Sequence, residues 1–332
     1  MFIGIDHGTT AMRFAALFPQ SGNILKLEIP RTDAANMSES RLVSTIGSTF
    51  GIRVTDISLM AVTYSMGDGI RDIEDIRNVK NRGVKSIEGA GKKTGGGGRV
   101  FDSIRSSGIP AVVIPGIHEG SGTDPRLNIF SHSTSPEKVG IAYHAYSLGL
   151  TDFVLSDISS NTVTLGVAGG KLIGAIDACI FAPGLQHGPL DVQALRDVDA
   201  GKMSANEAFV HSGVLKHTPF SDRHQLIRAA EDKDPRAILA LDSIALFAAM
   251  EIAGMQLLLK DHGSKGEIIV EGSVGEIPYV VQRIEKHLDV RVRVLDWWSA
   301  ALGCAEIARD IHAGSRDILG LNVNFDKDVT DT

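Results

Sequence analysis

Asp6-His7-Gly8-Thr9-Thr10, near the start of the chain, combines residue types that handle phosphate. A glycine in the turn lets backbone N–H groups approach an anion closely, the two threonines add hydroxyl donors, and an aspartate can hold a hydrated Mg²⁺. The flanks indicate how such a turn is held. Phe2-Ile3-Gly4-Ile5 is an apolar run of the kind a strand buried on both faces shows. After the turn, Met12, Phe14 and Ala16 alternate with Arg13, Ala15 and Leu17. Strand, tight polar turn and returning strand read as a hairpin. Taken alone, D-x-G-T-T suits an ordinary hairpin as well as a phosphate loop.

The same theme returns half a chain later. Phe153-Val154-Leu155 reads as a strand, Asp157-Ile158-Ser159-Ser160-Asn161-Thr162 as a polar turn, and Val163 to Val167 as the return. Leu172 to Ala178 follows the Gly169-Gly170 turn as a third strand. A repeated strand–turn–strand with an aspartate and hydroxyls in each turn points to an α/β chain with a duplicated RNase-H-like fold. Its two lobes are expected around a cleft, with Gly8, Thr9 and Thr10 on one side and Ser159, Ser160 and Asn161 on the other gripping one nucleotide's phosphates.

The elements between these turns follow from pattern. Ile24 to Ile29 is a third strand, Ser38 caps a helix that runs to Phe50 and stops at Gly51, and Ile57 to Thr63 is a further strand. Residues 86–99, rich in Gly and Lys, are expected as a mobile loop or a cationic lid. They are not a G-x-x-x-x-G-K-[ST] loop, since Ser86 and Lys93 stand at the wrong places. Val100 to Ser107 reads as a helix and Ala111 to Ile114 as a buried strand. His118 and Glu119 then fall at that strand's carboxyl end, the edge where open sheets bind ligands. With Asp68 they are candidates to receive a small-molecule substrate, and packing between loops is the other reading of His118.

Ser135-Pro136-Glu137 opens a helix that closes at Gly149. Helical stretches are expected at Asp191 to Ala200, Ser204 to His211 and Ser221 to Ala230, and a long helix from Asp234 to Lys260. His211, His217 and His224 are spaced six and seven apart, which suits no shared metal face on one helix. Glu267 to Glu271, a helix from Tyr279 to His287, a strand at Arg291 to Leu295 and a helix from Ser299 to Ile311 complete the second lobe. The domains are therefore read as 1–150, 151–314 and a C-terminal tail, 315–332, whose last dozen or so residues fray.

Composition bounds the function. The 332 residues are 43% hydrophobic and 22% charged, enough for a full core in about two domains. A net charge of −7 argues against nucleic acid as the main partner. The apolar run Ile244 to Leu259 contains Glu251, which makes it a buried helix and excludes a membrane span. Cys179 and Cys304 lack C-x-x-C neighbours, so a cytoplasmic protein with reduced thiols is expected.

With these residues in hand the chain resembles the superfamily of actin-like ATPases, sugar and acetate kinases, and seventy-kilodalton heat-shock chaperones. Ile5-Asp6-His7-Gly8-Thr9-Thr10 with Arg13 is similar to the first phosphate loop, and Asp157 to Thr162 stands where the second lies. Ile268 to Pro278 resembles the adenosine loop, and the helices at Pro136 to Gly149 and from Ser299 resemble the two connecting helices. MFIGIDHGTTAMRF and FAPGLQHGPLDV are similar to the methanogenesis marker protein 12 family, a butyrate-kinase-like group of methanogens. The resemblance implies ATP and Mg²⁺ as cofactors, with Asp6 and Asp157 as catalytic and metal-holding carboxylates. It also implies that Arg13 and Gly272, Ser273, Val274 and Gly275 contact nucleotide. Ser159 and Ser160 depart from the two glycines usual in the second loop, and Glu271 from a glycine usual in the adenosine loop.

Three functions remain open on this reading. They are phosphotransfer to a small molecule or slow ATP hydrolysis, an ATP-driven switch that assembles or activates a methanogenic enzyme, and a non-catalytic nucleotide-binding scaffold. A homodimer is also left open.

Overall fold

The apolar opening run becomes β1 (Phe2–His7), whose residues Phe2 to Ile5 are all buried. A computed structural model describes residues 1–87 and 95–326 of the chain. In it β1 pairs antiparallel with β2 (Ala11–Phe18), which pairs with β3 (Asn23–Pro30). The described chain divides into two compact units, 1–150 with 170–172 and 298–326, and 151–169 with 173–297.

In the first unit β3 leads into α1 (Arg31–Asn36), then α2 (Glu39–Phe50), β4 (Leu59–Val62) and β5 (Ile73–Asp75). There follow α3 (Gly95–Ser107), β6 (Ala111–Val113), β7 (Ile117–His118), β8 (His132–Thr134) and α4 (Pro136–Ser147). The Ser38 hydroxyl accepts from Arg41 N at 3.3 Å to start α2, and Gly51 ends it at φ 66°. Ser135 stands at the N-cap of α4, but its hydroxyl donates to Glu137 Oε1 at 2.6 Å and leaves the backbone cap bond unmade.

The second unit runs β9 (Phe153–Ile158), β10 (Thr162–Ala168), β11 (Lys171–Ile176), α5 (Val192–Asp199), α6 (Ala205–Val210), α7 (Arg223–Glu231) and α8 (Pro235–Asp261). It closes with β12 (Glu267–Glu271), α9 (Pro278–Leu288) and β13 (Arg293–Val294). Its five strands stand in the order β11-β10-β9-β12-β13, with β12 parallel to β9. Val154, Ile158 and Val270 of the sheet bury against Ile244, Ala248, Ile252 and Met255 of α8 and against Val280 and Ile284 of α9.

The chain then returns to the first unit with α10 (Ser299–His312), β14 (Asp317–Ile318) and β15 (Leu321–Asn324). The first sheet has eight strands in the order β14-β15-β5-β6-β4-β1-β2-β3. Met12, Phe14 and Ala16 of β2 join the core that Leu42, Ile46, Phe101 and Ile104 build, while Ala15 faces Ala301 and Leu302 of α10. The alternation read from sequence is therefore burial on both faces, under different helices.

Several expectations are corrected here. The helix from Ser299, read as the close of the second half, packs in the first unit. A side chain at Gly4 would strike backbone atoms of Ala301 and Ala305, and one at Gly303 would strike Gly140 O. These glycines let α10 lie directly on β1 and α4. The C-terminal stretch is not frayed through residue 326, because β15 pairs in parallel with β5. Of the loop expected at 86–99, residues 88–94 lie outside the described residues, and residues 95–99 are the first turns of α3. Gly96, Gly97 and Gly98 are buried there, because a side chain at Gly97 would fall on the His7 ring and one at Gly96 on Arg31 O.

Candidate functional sites

The first turn is built on the β1–β2 hairpin. Gly8 is buried and Thr9 and Thr10 are exposed, so the turn turns its hydroxyl residues to solvent. A Cβ at Gly8 would sit 2.6 Å from Ala11 O and 2.8 Å from an Arg13 guanidinium nitrogen, which explains the glycine. Asp6 is buried and opposes Arg13 in the strand register, with Arg13 Nε 3.2 Å from Asp6 Oδ2. A buried carboxylate needs such a partner to stay ionised. Asp6 therefore already carries a cation, and a metal ion would share or displace it.

Residues that sequence reasoning passed over surround this turn. Arg31 donates to Gly8 O at 3.0 Å, and His7 N donates to the Thr63 hydroxyl at 3.0 Å. The His7 ring meets Tyr64 edge-on at 5.1 Å. Burial, aided by the Arg31 cation, pulls His7 down to about 4, so the ring is neutral near pH 7. Arg82, buried and paired with Asp102 at 2.5 Å, lies over the Tyr64 ring. Only the D-x-G-T-T motif was visible in sequence; the other groups, from Arg31 to Asp102, arrive from distant elements and carry no local signature.

The second turn is tied to the loop that resembles an adenosine loop. Asp157, buried in β9, accepts from the Ser159 hydroxyl at 2.8 Å, and that hydroxyl accepts from Ser273 N at 3.1 Å. Gly272 has φ 99° and lies so close to Asp157 and Ser159 that a side chain there would strike both. Val274 N and Gly275 N each donate to Ile158 O at 2.9 Å, which commits those two amides to holding the loop. Neither Ser159 nor Ser160 adopts positive φ, so the usual glycines are not needed for this backbone, and Ser159 supplies the bridging hydroxyl. Glu271 is buried opposite Asp157 in the β12–β9 register.

The FAPGLQHG segment covers this turn. Leu185 N donates to Ser159 O, Gln186 N and His187 N donate to Ser160 O, and Ser159 N donates to Asn161 O. Gly184 lies against Asn161 so closely that only glycine fits. The backbone carbonyls of Ser159, Ser160 and Asn161 thus serve the fold, as do the amide and hydroxyl of Ser159.

Asp68, His118 and Glu119 do come together, along with Arg71, Lys85 and His132, around a first-unit cavity of about 910 Å³. His118 is buried, and its two ring nitrogens lie 2.8 Å from Ile70 O and 3.0 Å from Glu119 O. The ring pins two loops together and shapes the cavity wall. Asp68 Oδ1 accepts from Lys85 N at 3.1 Å. Among the described residues, no three His, Cys, Asp or Glu side chains are grouped to hold a metal. Asp6 or Asp157 fits Mg²⁺ in the mode that uses one or two carboxylates with phosphate and water.

No protein-family model matches the chain. The chain shares its fold with solved structures of acetate, propionate and ROK-family sugar kinases. An acetate kinase of Porphyromonas gingivalis superposes with TM-score 0.67 at 11% identity, over 93% of this chain and 98% of the other. A propionate kinase of Francisella tularensis gives 0.68 at 12% identity over the same shares. A ROK family glucokinase of Streptomyces griseus gives 0.51 at 17% identity, over 93% and 99%. In sequence, the UPF0285 protein of Methanosarcina barkeri is 60% identical over 324 residues, 98% of this chain and 99% of its own length. That of Methanocaldococcus jannaschii is 45% identical over 333 residues, 97% and 99%. At such identity over nearly its whole length, the chain belongs to the UPF0285 family.

Proposed function

We propose that the protein binds Mg·ATP and transfers its terminal phosphoryl group to a small molecule or to water, in the manner of the acetate and sugar kinases whose fold it shares. The observation that carries this is the repetition, in each unit, of a strand–turn–strand with a buried aspartate at the turn, Asp6 in one and Asp157 in the other. Thr9, Thr10 and Arg13 would hold phosphate oxygens, and Ser160 and Asn161 would do so from the second turn, where Ser159 braces Asp157. The Gly272–Gly275 loop, tied to Asp157 through Ser159, would position the nucleoside. Mg²⁺, when bound, would neutralise charge on the phosphates with Asp6 or Asp157 as its protein ligand. The cavity lined by Asp68, His118 and Glu119 is the acceptor site in this reading.

Relatives from methanogens support an acceptor drawn from that metabolism, and the reading takes the protein as cytoplasmic, which an exposed free thiol at Cys179 suits. The same relatives suit a second reading as well, an ATP-driven switch that acts on a methanogenic enzyme.

Calorimetric titration with Mg·ATP tests the first step, and phosphate release with and without acetate, propionate and hexoses tests the second. Acceptor-dependent ADP formation is the expected result. Slow release that no acceptor stimulates would favour the switch, and no heat with millimolar nucleotide would sink both readings.

A further inference from the structure

We propose that the second unit holds a ligand site of its own, which takes a singly charged organic anion with an apolar body. The site is a cavity of about 510 Å³ between the segment from Phe181 to Asp191, the turn from Ser212 to Thr218 and the first half of α8. Small-molecule sites are of this size, with mainly apolar walls and a few polar groups that orient the ligand. It shares no residue with the cavity around Asp68 and His118, and all of its lining belongs to the second unit.

The FAPGLQHGPLDV stretch works on two sides. Leu185, Gln186 and His187 give their amides to Ser159 and Ser160 of the second turn, while Phe181, Pro183, Pro189 and Asp191 line the cavity. Leu239 and Phe247 of α8 line it too, and the Phe181 and Phe247 rings meet edge to face with centroids 5.5 Å apart. Leu239 is 67% exposed, so a ligand's apolar body would cover surface that the fold leaves in water. Ser212, Ser243 and Thr218 add no donors to these walls. Each gives its hydroxyl hydrogen to a backbone carbonyl, of Ala208, Leu239 and Leu215 respectively.

The charged groups select the ligand's other end. Asp191, Lys216, His217 and Arg236 are all exposed and so form the mouth. Both Asp191 oxygens are already engaged, Oδ1 by Ala194 N and Oδ2 by Lys216 Nζ, each at 2.9 Å. Arg236 pairs with Asp234 through Nε at 3.1 Å and Nη2 at 2.7 Å, which leaves the two hydrogens of Nη1. Lys216 keeps ammonium hydrogens beyond the one given to Asp191, and the His217 ring makes no hydrogen bond or ion pair among the described residues. The mouth therefore offers donors from two cations and no unengaged carboxylate, in a chain whose net charge is −7. An anion there gains charge-assisted hydrogen bonds. Two cations against one acid balance a single negative charge, which suits a carboxylate and not a phosphate dianion.

Calorimetry on the full chain with 3-phenylpropionate, octanoate and 3-phenylpropanol tests the proposal. At least one of the acids is expected to bind at a single site, at least about 10-fold more tightly than the alcohol, as a charge-assisted hydrogen bond provides. Lys216→Gln with Arg236→Gln should remove that margin. Leu239→Trp, which fills the cavity from an exposed position, should abolish binding while far-ultraviolet dichroism stays unchanged. Failure of both acids to bind at millimolar concentration, equal affinity for acid and alcohol, or binding that survives Leu239→Trp would overturn the proposal. Should the tryptophan disturb the fold, the two glutamines decide alone, and unchanged affinity for the acid overturns it.

Discussion

Asp6 and Arg13 face each other across the β1–β2 hairpin and pair at 3.2 Å, so one of the two carboxylates proposed for Mg²⁺ is already held by a cation. The pair is unequal: 4% of the Asp6 side chain is exposed, against 17% of Arg13. Arg13→Ala strands a buried charge and should cost roughly 3 kcal/mol of stability. Asp6→Asn leaves a cation with access to water, so it should cost less. Thermal melts of the two variants check the order. Equal losses would mean that Asp6 is better supported by other groups than by Arg13.

Asp6→Asn and Asp157→Asn test whether the two turns serve one nucleotide. Each alone should lower turnover, the first through weaker metal-dependent binding and the second through a slower chemical step. The double variant should be barely slower than the worse single one, since groups acting as a unit do not add. Additive losses in kcat/KM, or wild-type turnover in either single variant, would separate the turns and sink the shared-nucleotide reading.

Gly97 is where α3 lies against the first turn, because its missing side chain leaves room for the His7 ring. Gly97→Ala should destabilise by about 1–3 kcal/mol through overpacking, although alanine is the better helix former. Adding His7→Ala removes the obstacle and should recover most of that loss. A Gly97→Ala protein as stable as wild type in chemical denaturation would show that the helix shifts freely.

Glu251 sits mid-way along α8 with Oε1 accepting from Ala182 N at 3.0 Å, and burial raises its carboxyl from 4.5 to about 8. The sign follows from linkage. Between these values the folded state keeps a proton that the unfolded chain releases, so stability is greatest below pH 4.5 and declines toward pH 8. The decline is on the order of 5 kcal/mol. Glu251→Gln keeps the acceptor and has no proton to lose, so its stability should be flatter across this range. Urea unfolding at several pH values measures both slopes; parallel slopes would mean that Glu251 is ionised in the fold.

Much of the architecture was legible because it is written in local pattern. The apolar run at Phe2 to Ile5, the Ser38 and Asp234 caps and the repeated strand–turn–strand are set by burial period and capping chemistry, which neighbouring residues determine. The placing of Asp6 next to the turn that holds Gly8 and Thr9 came the same way. What the sequence left undecided depended on contacts between distant residues. A glycine-rich stretch reads as a flexible loop, yet Gly96 to Gly98 are the buried start of a helix because His7 and Arg31 fill the space where side chains would be. The polar C-terminus reads as a tail, yet Val323 and Asn324 are strand because β5 offers an edge some 250 residues earlier. Ser159 reads as a poor substitute for glycine, and its value lies in a hydroxyl that joins Asp157 to Ser273, a partner 114 residues away. Local propensity is a weak prior wherever long-range packing or hydrogen bonding supplies the larger energy, and at these positions it did.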